Sequence, residues 1–160
     1  MTASVAVNPS ASTPPDTQLA LRQHWMSVLA RASACALEAY VDQLADRPQY
    51  TFLRPAEIGM AMIRGRMGGT GAPFNAGEMT MTRCVVVRPS GVRGFGYVAG
   101  RGRRHAELAA VLDALLQESV EPHLSTLIEP LHQQWLQRRE QLARKADATR
   151  VNFMTMVRGD

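Results

Sequence analysis

The chain has 160 residues, of which 46% are hydrophobic, and a formal net charge of +4 from 18 Lys and Arg against 14 Asp and Glu. A chain of this size buries enough surface to fold as one domain without disulfides or metal staples. It contains no run of about 18 apolar residues, so we expect no membrane-spanning segment.

The basic residues are biased, because every one except Lys145 is arginine. Arginine suits planar, two-pronged contacts with phosphate or carboxylate, although a GC-rich genome would produce the same bias. The two thiols, Cys35 and Cys84, have no neighbours at metal-ligand spacing and are predicted to be small buried hydrophobes.

Residues 1–17 are rich in Ser, Thr, Pro and Ala and lack the basic and apolar regions of a signal peptide. We therefore expect a disordered tail at 1–17, a single domain at 18–160 and a cytoplasmic protein. Helical periodicity then begins, first at Leu21, Trp25 and Val28. A second helical pattern ends before Pro48. The two patterns form either one bent helix or two separate helices, in which case Ser33 could cap the second.

The middle of the chain alternates with a period of two residues, as strands do. Strand patterns cover residues 58–63, 79–87 and 92–99, and residues 50–53 could add a fourth strand. Short connections favour antiparallel pairing, so we predict an antiparallel meander of three or four strands. Helical periodicity returns at Arg104, and Pro130 suits the start of a last helix that runs to about Ala148. The fold class is thus α+β, with helices flanking the sheet on its N-terminal and C-terminal sides.

Residues 64–83 hold five glycines and three arginines between two strand patterns. The spacing fits neither a Walker A motif nor a dinucleotide fingerprint. The segment is either a structural turn or an anion site in which successive N–H groups form a nest. A second basic segment, residues 100–105, precedes a helix and is either an anion site at that helix N-terminus or an incidental turn. The candidate anion-binding or interface residues are Arg64, Arg66, Gly68, Gly69, Gly71, Arg83, Arg101, Arg103 and His105.

No catalytic constellation is evident, and the four histidines lack metal-ligand spacing, so we predict neither catalytic nor metal-binding residues on this chain. Residues 151–157 are apolar and strand-like, and such a segment must be buried on its own domain or on a partner. Its candidate interface residues are Phe153, Met156 and Val157, and a homodimer of the isolated chain stays open as an alternative. Few aromatic residues argue against a nucleic-acid-binding module.

Seven stretches of the chain together form a distinctive pattern: residues 22–30, 66–71, 74–80, 82–83, 105–107, 113–115 and 151–159. Taken together and in order, they resemble the PhnG subunit of the bacterial carbon–phosphorus lyase system. The resemblance covers the chain from about Leu19 onward and departs from the family pattern at Gly102, where an acidic residue is expected.

The resemblance implies an accessory and assembly subunit that works with H-, I-, J- and K-type subunits, with the I-type the most direct partner. It also implies that the G-, H-, I- and L-type components together form α-D-ribose 1-methylphosphonate 5-triphosphate from ATP and methylphosphonate, with release of adenine. ATP would then be a co-substrate of the complex, and this chain would hold no cofactor. The alternative is a freestanding enzyme that binds phosphate or a nucleotide. If the chain is such a subunit, Arg64, Arg66, Arg83 and the loop 68–71 either contact polyanionic substrate or lock the interface with the I-type subunit, and we favour the interface.

Overall fold

The computed structural model describes residues 15–149. Five helices and three strands follow one another along this part of the chain. Their order is α1 (Pro15–Arg31), α2 (Ala34–Gln43), β1 (Thr51–Arg66), β2 (Pro73–Val87), β3 (Arg93–Ala99), α3 (Arg103–Glu118), α4 (Val120–His123) and α5 (Glu129–Ala148). The predicted α+β class, with helices before and after the sheet, is confirmed.

The N-terminal helical region consists of two helices. Ser33 stands between them in an extended conformation, and its side chain accepts a hydrogen bond from the Ala36 N–H at 3.2 Å. This capping bond starts α2 and answers the question that periodicity left open. Helix α1 includes Pro15, Asp16 and Thr17, so the assignment of these residues to the disordered tail is corrected. The rest of that predicted tail lies outside the described residues.

The sheet has three antiparallel strands in the order β1-β2-β3. The segment that could have made a fourth strand is the start of β1, which runs without interruption past Pro55. Proline is tolerated there because β1 is an edge strand and its register with β2 shifts on either side, between Phe52 and Arg54 and between Arg54 and Glu57.

Helix α3 packs on one face of the sheet at very short range. A Cβ atom added to Gly96 would lie 1.9 Å from the Ala106 carbonyl oxygen, and one added to Gly94 would lie 1.9 Å from that of Ala110. Only glycine leaves room for the helix backbone at this distance. The core is built around this contact, with α1 and α2 packed against α3. Cys84 is buried there as predicted, whereas Cys35 is exposed on α2, so the prediction for that thiol was wrong.

The C-terminal helical region begins with α4 and continues through a π-helical turn at Leu124–Ile128 into α5. Pro130 lies in the first turn of α5, where its missing N–H costs little, as the sequence predicted. Buried Leu127 and Ile128 fix this turn to the core, whereas no residue of α5 is buried.

Candidate interaction surface

The most distinctive feature of the structure is the length of the β1–β2 pair. Strand β3 covers β2 only from Met81 to Val87, and the other two strands continue past it to a turn at residues 67–72. We call residues 58–80 the ribbon. Its large apolar side chains are exposed: Ile58, Met60, Met62, Ile63, Met67 and Phe74. Exposed apolar side chains concentrated in one segment mark a site that binds another molecule.

The two faces of the ribbon differ. Ile58 pairs with Thr82, which is fully buried on the side of the sheet that faces α3. Since residues directly opposite each other in a sheet point to the same side, this side continues along the ribbon through Met60 and Met62. We call it the inner face. Met60 is 73% exposed and Met62 57%, because α3 does not extend over them.

Arg64 and Arg66 extend the same alternation to the far end of the inner face. Both are exposed. One Arg66 nitrogen donates a hydrogen bond to the Gly71 carbonyl oxygen at 3.2 Å and so closes the turn.

The predicted glycine loop is shorter than expected, since strand structure occupies everything outside residues 67–72. Gly68 and Gly69 have φ angles of 59° and 85°, in the left-handed region that favours glycine. Gly71 N–H donates to the Met67 carbonyl at 2.8 Å, and a Cβ at Gly71 would lie 2.6 Å from that oxygen. The turn therefore needs these three glycines for its own backbone.

Arg83 lies apart from the other two arginines of the segment. It pairs across the sheet with Glu57, and their side chains approach to 3.5 Å. Glu57 also approaches Arg54 at 3.7 Å. This cluster lies on the outer face of the sheet, about 23 Å along β1 from Arg64 at 3.3 Å per residue. The structure therefore does not bring Arg83 together with Arg64 and Arg66.

The second basic segment, residues 100–105, lies beside the end of the ribbon that is nearest the body of the domain. Gly100 N–H donates to the Thr80 carbonyl at 2.8 Å, and the Thr82 hydroxyl donates to the Gly100 carbonyl at 2.7 Å. These bonds fix exposed Arg101 and Arg103 at the near end of the inner face. The inner face thus carries apolar Ile58, Met60 and Met62 on β1 opposite polar Thr82, Thr80 and Glu78 on β2, with two arginines at each end.

His105, predicted as an anion-binding or interface residue, lies in the first turn of α3. Its Nε2 atom lies 2.9 Å from the Leu29 carbonyl oxygen, so the ring links α3 to α1. The predicted partner-facing residues Phe153, Met156 and Val157 lie outside the described residues.

One buried polar centre was missed by sequence reasoning. Asp113 is fully buried on α3 and accepts hydrogen bonds from Arg22 at 2.8 Å, Trp25 at 2.8 Å, Gln117 at 3.1 Å and the Phe95 N–H at 3.0 Å. It therefore ties α1 and β3 to α3. A carboxylate in the middle of an apolar helix stripe was the available signal, since a buried charge needs partners.

A second polar cluster lies where β1 begins. The Tyr50 hydroxyl donates to Glu107, which also accepts from Arg104 at 2.9 Å, and Arg104 reaches Glu38 at 3.0 Å. Burial, and then the neighbouring Glu107 carboxylate, raise the pKa of Tyr50. The same two causes raise the pKa of the Cys84 thiol to about 11. Every polar group of this cluster is thus engaged in joining elements.

Within residues 15–149 no group of three or more His, Cys, Asp or Glu side chains could hold a metal ion. Nor does this part of the chain contain a helix both long and apolar enough to cross a membrane. The features together define a small α+β protein whose most developed surface is an uncovered ribbon, which is the kind of surface that proteins bury against a partner.

Comparison with known proteins agrees with the resemblance noted in the sequence. The family model described as phosphonate metabolism protein PhnG matches residues 20–159. The chain is also 40% identical over 155 residues to the α-D-ribose 1-methylphosphonate 5-triphosphate synthase subunit PhnG of Rhizobium meliloti (strain 1021). That match covers 94% of this chain and 97% of the relative. The chain therefore belongs to the PhnG family.

Proposed function

We propose that this chain is an accessory subunit of a multi-subunit α-D-ribose 1-methylphosphonate 5-triphosphate synthase. The observation that carries the proposal is the family match over nearly the whole chain, to a relative that is itself named as a subunit. The ribbon supports it, because an exposed apolar surface needs a neighbour to cover it.

The partners we propose are the H-, I-, J- and K-type subunits, with the I-type subunit in direct contact. ATP and methylphosphonate would enter as substrates of the complex, which would release adenine, and this chain would hold no cofactor of its own. We place the complex in the cytoplasm. The two polar centres within residues 15–149, at Asp113 and Glu107, bond to neighbouring elements of the same domain, so we assign them a structural role.

Reconstitution tests the proposal. The H-, I- and L-type components are combined with and without this chain, and adenine release from ATP and methylphosphonate is followed by chromatography. We expect the chain to join the complex and to be required for full activity. Calorimetry of the isolated chain with ATP and methylphosphonate should show no binding. Turnover by the isolated chain would contradict the proposal and support a freestanding nucleotide enzyme.

Substitutions separate an interface role of the arginines from a substrate role. Arg66→Ala and Arg83→Ala change opposite faces of the sheet, so each reports on its own face. Lost assembly in either variant assigns that face to a subunit interface, which is the result we expect for Arg66. Intact assembly with lost turnover would assign the face to substrate, and no change in either property would remove the arginine from both roles.

A further inference from the structure

We propose that the inner face of the ribbon binds an acidic amphipathic helix of a partner subunit, which continues the helical layer begun by α3. This inference rests on the proposed function, because it takes the chain to work inside an assembly. It adds to that function the surface used and the chemistry of the segment that covers it.

The first argument is the abrupt end of the helical layer. On the body of the domain, α3 covers the sheet so closely that its carbonyl groups exclude any Cβ at Gly94 and Gly96. Helix α3 begins at Arg103, three residues after Gly100, whose N–H bonds to Thr80, while the same side of the sheet runs on through Met60 and Met62. The apolar character of the covered face thus continues where no element of residues 15–149 covers it.

The second argument concerns dimensions. Two paired strands lie about 4.8 Å apart, so the ribbon with its side chains is about as wide as one α-helix, which is roughly 10 Å. From Ile58 to Arg66 the inner face is about 26 Å long at 3.3 Å per residue. A helix of about five turns matches that length.

The third argument is charge. Arg64 and Arg66 lie at the far end of the inner face and Arg101 and Arg103 at the near end, and the described residues place no carboxylate within salt-bridge distance of any of them. Glu78, opposite Met62, is the acidic residue on this face. The inner face therefore has an excess of positive charge at both ends of its apolar β1 residues. This charge distribution is complementary to a helix with an apolar stripe and acidic residues near its ends.

The outer face lacks this combination. There Glu57 already compensates Arg83 at 3.5 Å and Arg54 at 3.7 Å. Because these arginines have a partner within the chain, the outer face offers an acidic segment less than the inner face does. The observations therefore favour the inner face as the docking side.

The first test measures affinity. The purified full-length chain is titrated against the remaining subunits of the complex. Met60→Ser/Met62→Ser should weaken binding about 30-fold, since two buried methionine side chains are lost from the interface. The matched control is Leu142→Ser, which changes a residue of similar exposure, 61%, on α5. The control should bind like the original chain.

The second test measures charge. Arg64→Glu and Arg103→Glu should each weaken binding about fivefold or more, and the loss should shrink as salt is raised. Arg47→Glu, at an exposed arginine of the segment between α2 and β1 and outside the ribbon, is the matched control and should have no effect. Thermal unfolding of every variant verifies that the domain still folds.

The third test identifies the occupant. A photo-cross-linking residue placed at position 62 in the assembled complex should attach to a partner segment that is helical, apolar on one side and acidic. A cross-link to a basic segment or to a second copy of this chain would overturn the inference, and so would unchanged affinity in the methionine variant. Failure of the original chain to bind the other subunits would instead refute the proposed function and the inference with it.

Discussion

Asp113→Asn probes the buried centre that joins three elements of the fold. The carboxylate accepts from Arg22 Nε and Trp25 Nε1 on one oxygen, and from Arg22 Nη2, the Phe95 N–H and Gln117 on the other. Asparagine has the same shape but replaces one oxygen with an NH₂ group, which cannot accept. Whichever way the amide turns, at least two donors lose their acceptor, and the Arg22 guanidinium loses its counter-charge.

Breaking a partly buried ion pair of this kind costs about 3–5 kcal/mol, a large share of the roughly 5–15 kcal/mol that stabilises a domain. Urea unfolding of the full chain, followed by tryptophan fluorescence, measures the loss. Asp42→Asn is the control, because it breaks an exposed pair with Arg47 and should cost about 0–1 kcal/mol. A loss below about 1 kcal/mol for Asp113→Asn would refute the reasoning that these bonds stabilise the fold.

Three further predictions follow from local contacts. Gly96→Ala places a Cβ 1.9 Å from a backbone carbonyl of α3 and should cost about 3 kcal/mol or more in thermal unfolding, whereas Gly59→Ala, with open space around it, should cost about 0.5 kcal/mol or less. A thiol reagent at neutral pH should modify exposed Cys35 quickly. It should modify buried Cys84, whose pKa is about 11, only in denaturant, and rapid labelling of both thiols in the folded protein would contradict the packing. Burial lowers the pKa of His123 below its usual 6.5. The neutral imidazole is therefore favoured in the folded state, and its contribution to the free energy of unfolding is present above pH 6.5 and is lost as the pH falls. His123→Gln should therefore unfold with a weaker pH dependence between about pH 7 and 5, and an unchanged slope would argue against this role.

Local patterns were sufficient to predict the helices and most of the sheet. The stripe of Leu21, Trp25 and Val28, the stop before Pro48 and the first-turn position of Pro130 depend on residues a few places apart. Such signals are contained in the sequence itself. They also predicted the α+β class correctly.

What the sequence did not predict depends on contacts between distant residues. Strand β1 passes through Pro55 because β1 lies at the sheet edge and its register shifts there, and neither fact is visible in a local pattern. Asp113 and Arg22 are 91 residues apart. The separation of Arg83 from Arg64 likewise follows from strand length, because the glycine-rich stretch was interpreted as one loop although most of it is strand.

The uncovered ribbon has a consequence for how cells must produce this protein. Its edge strand offers unpaired backbone groups beside an uncharged run of residues 58–63, a combination that promotes unwanted pairing between chains. Copies made in excess of their partners would thus be prone to precipitate or be degraded. Under the proposed function, synthesis matched to the partner subunits would keep the ribbon covered.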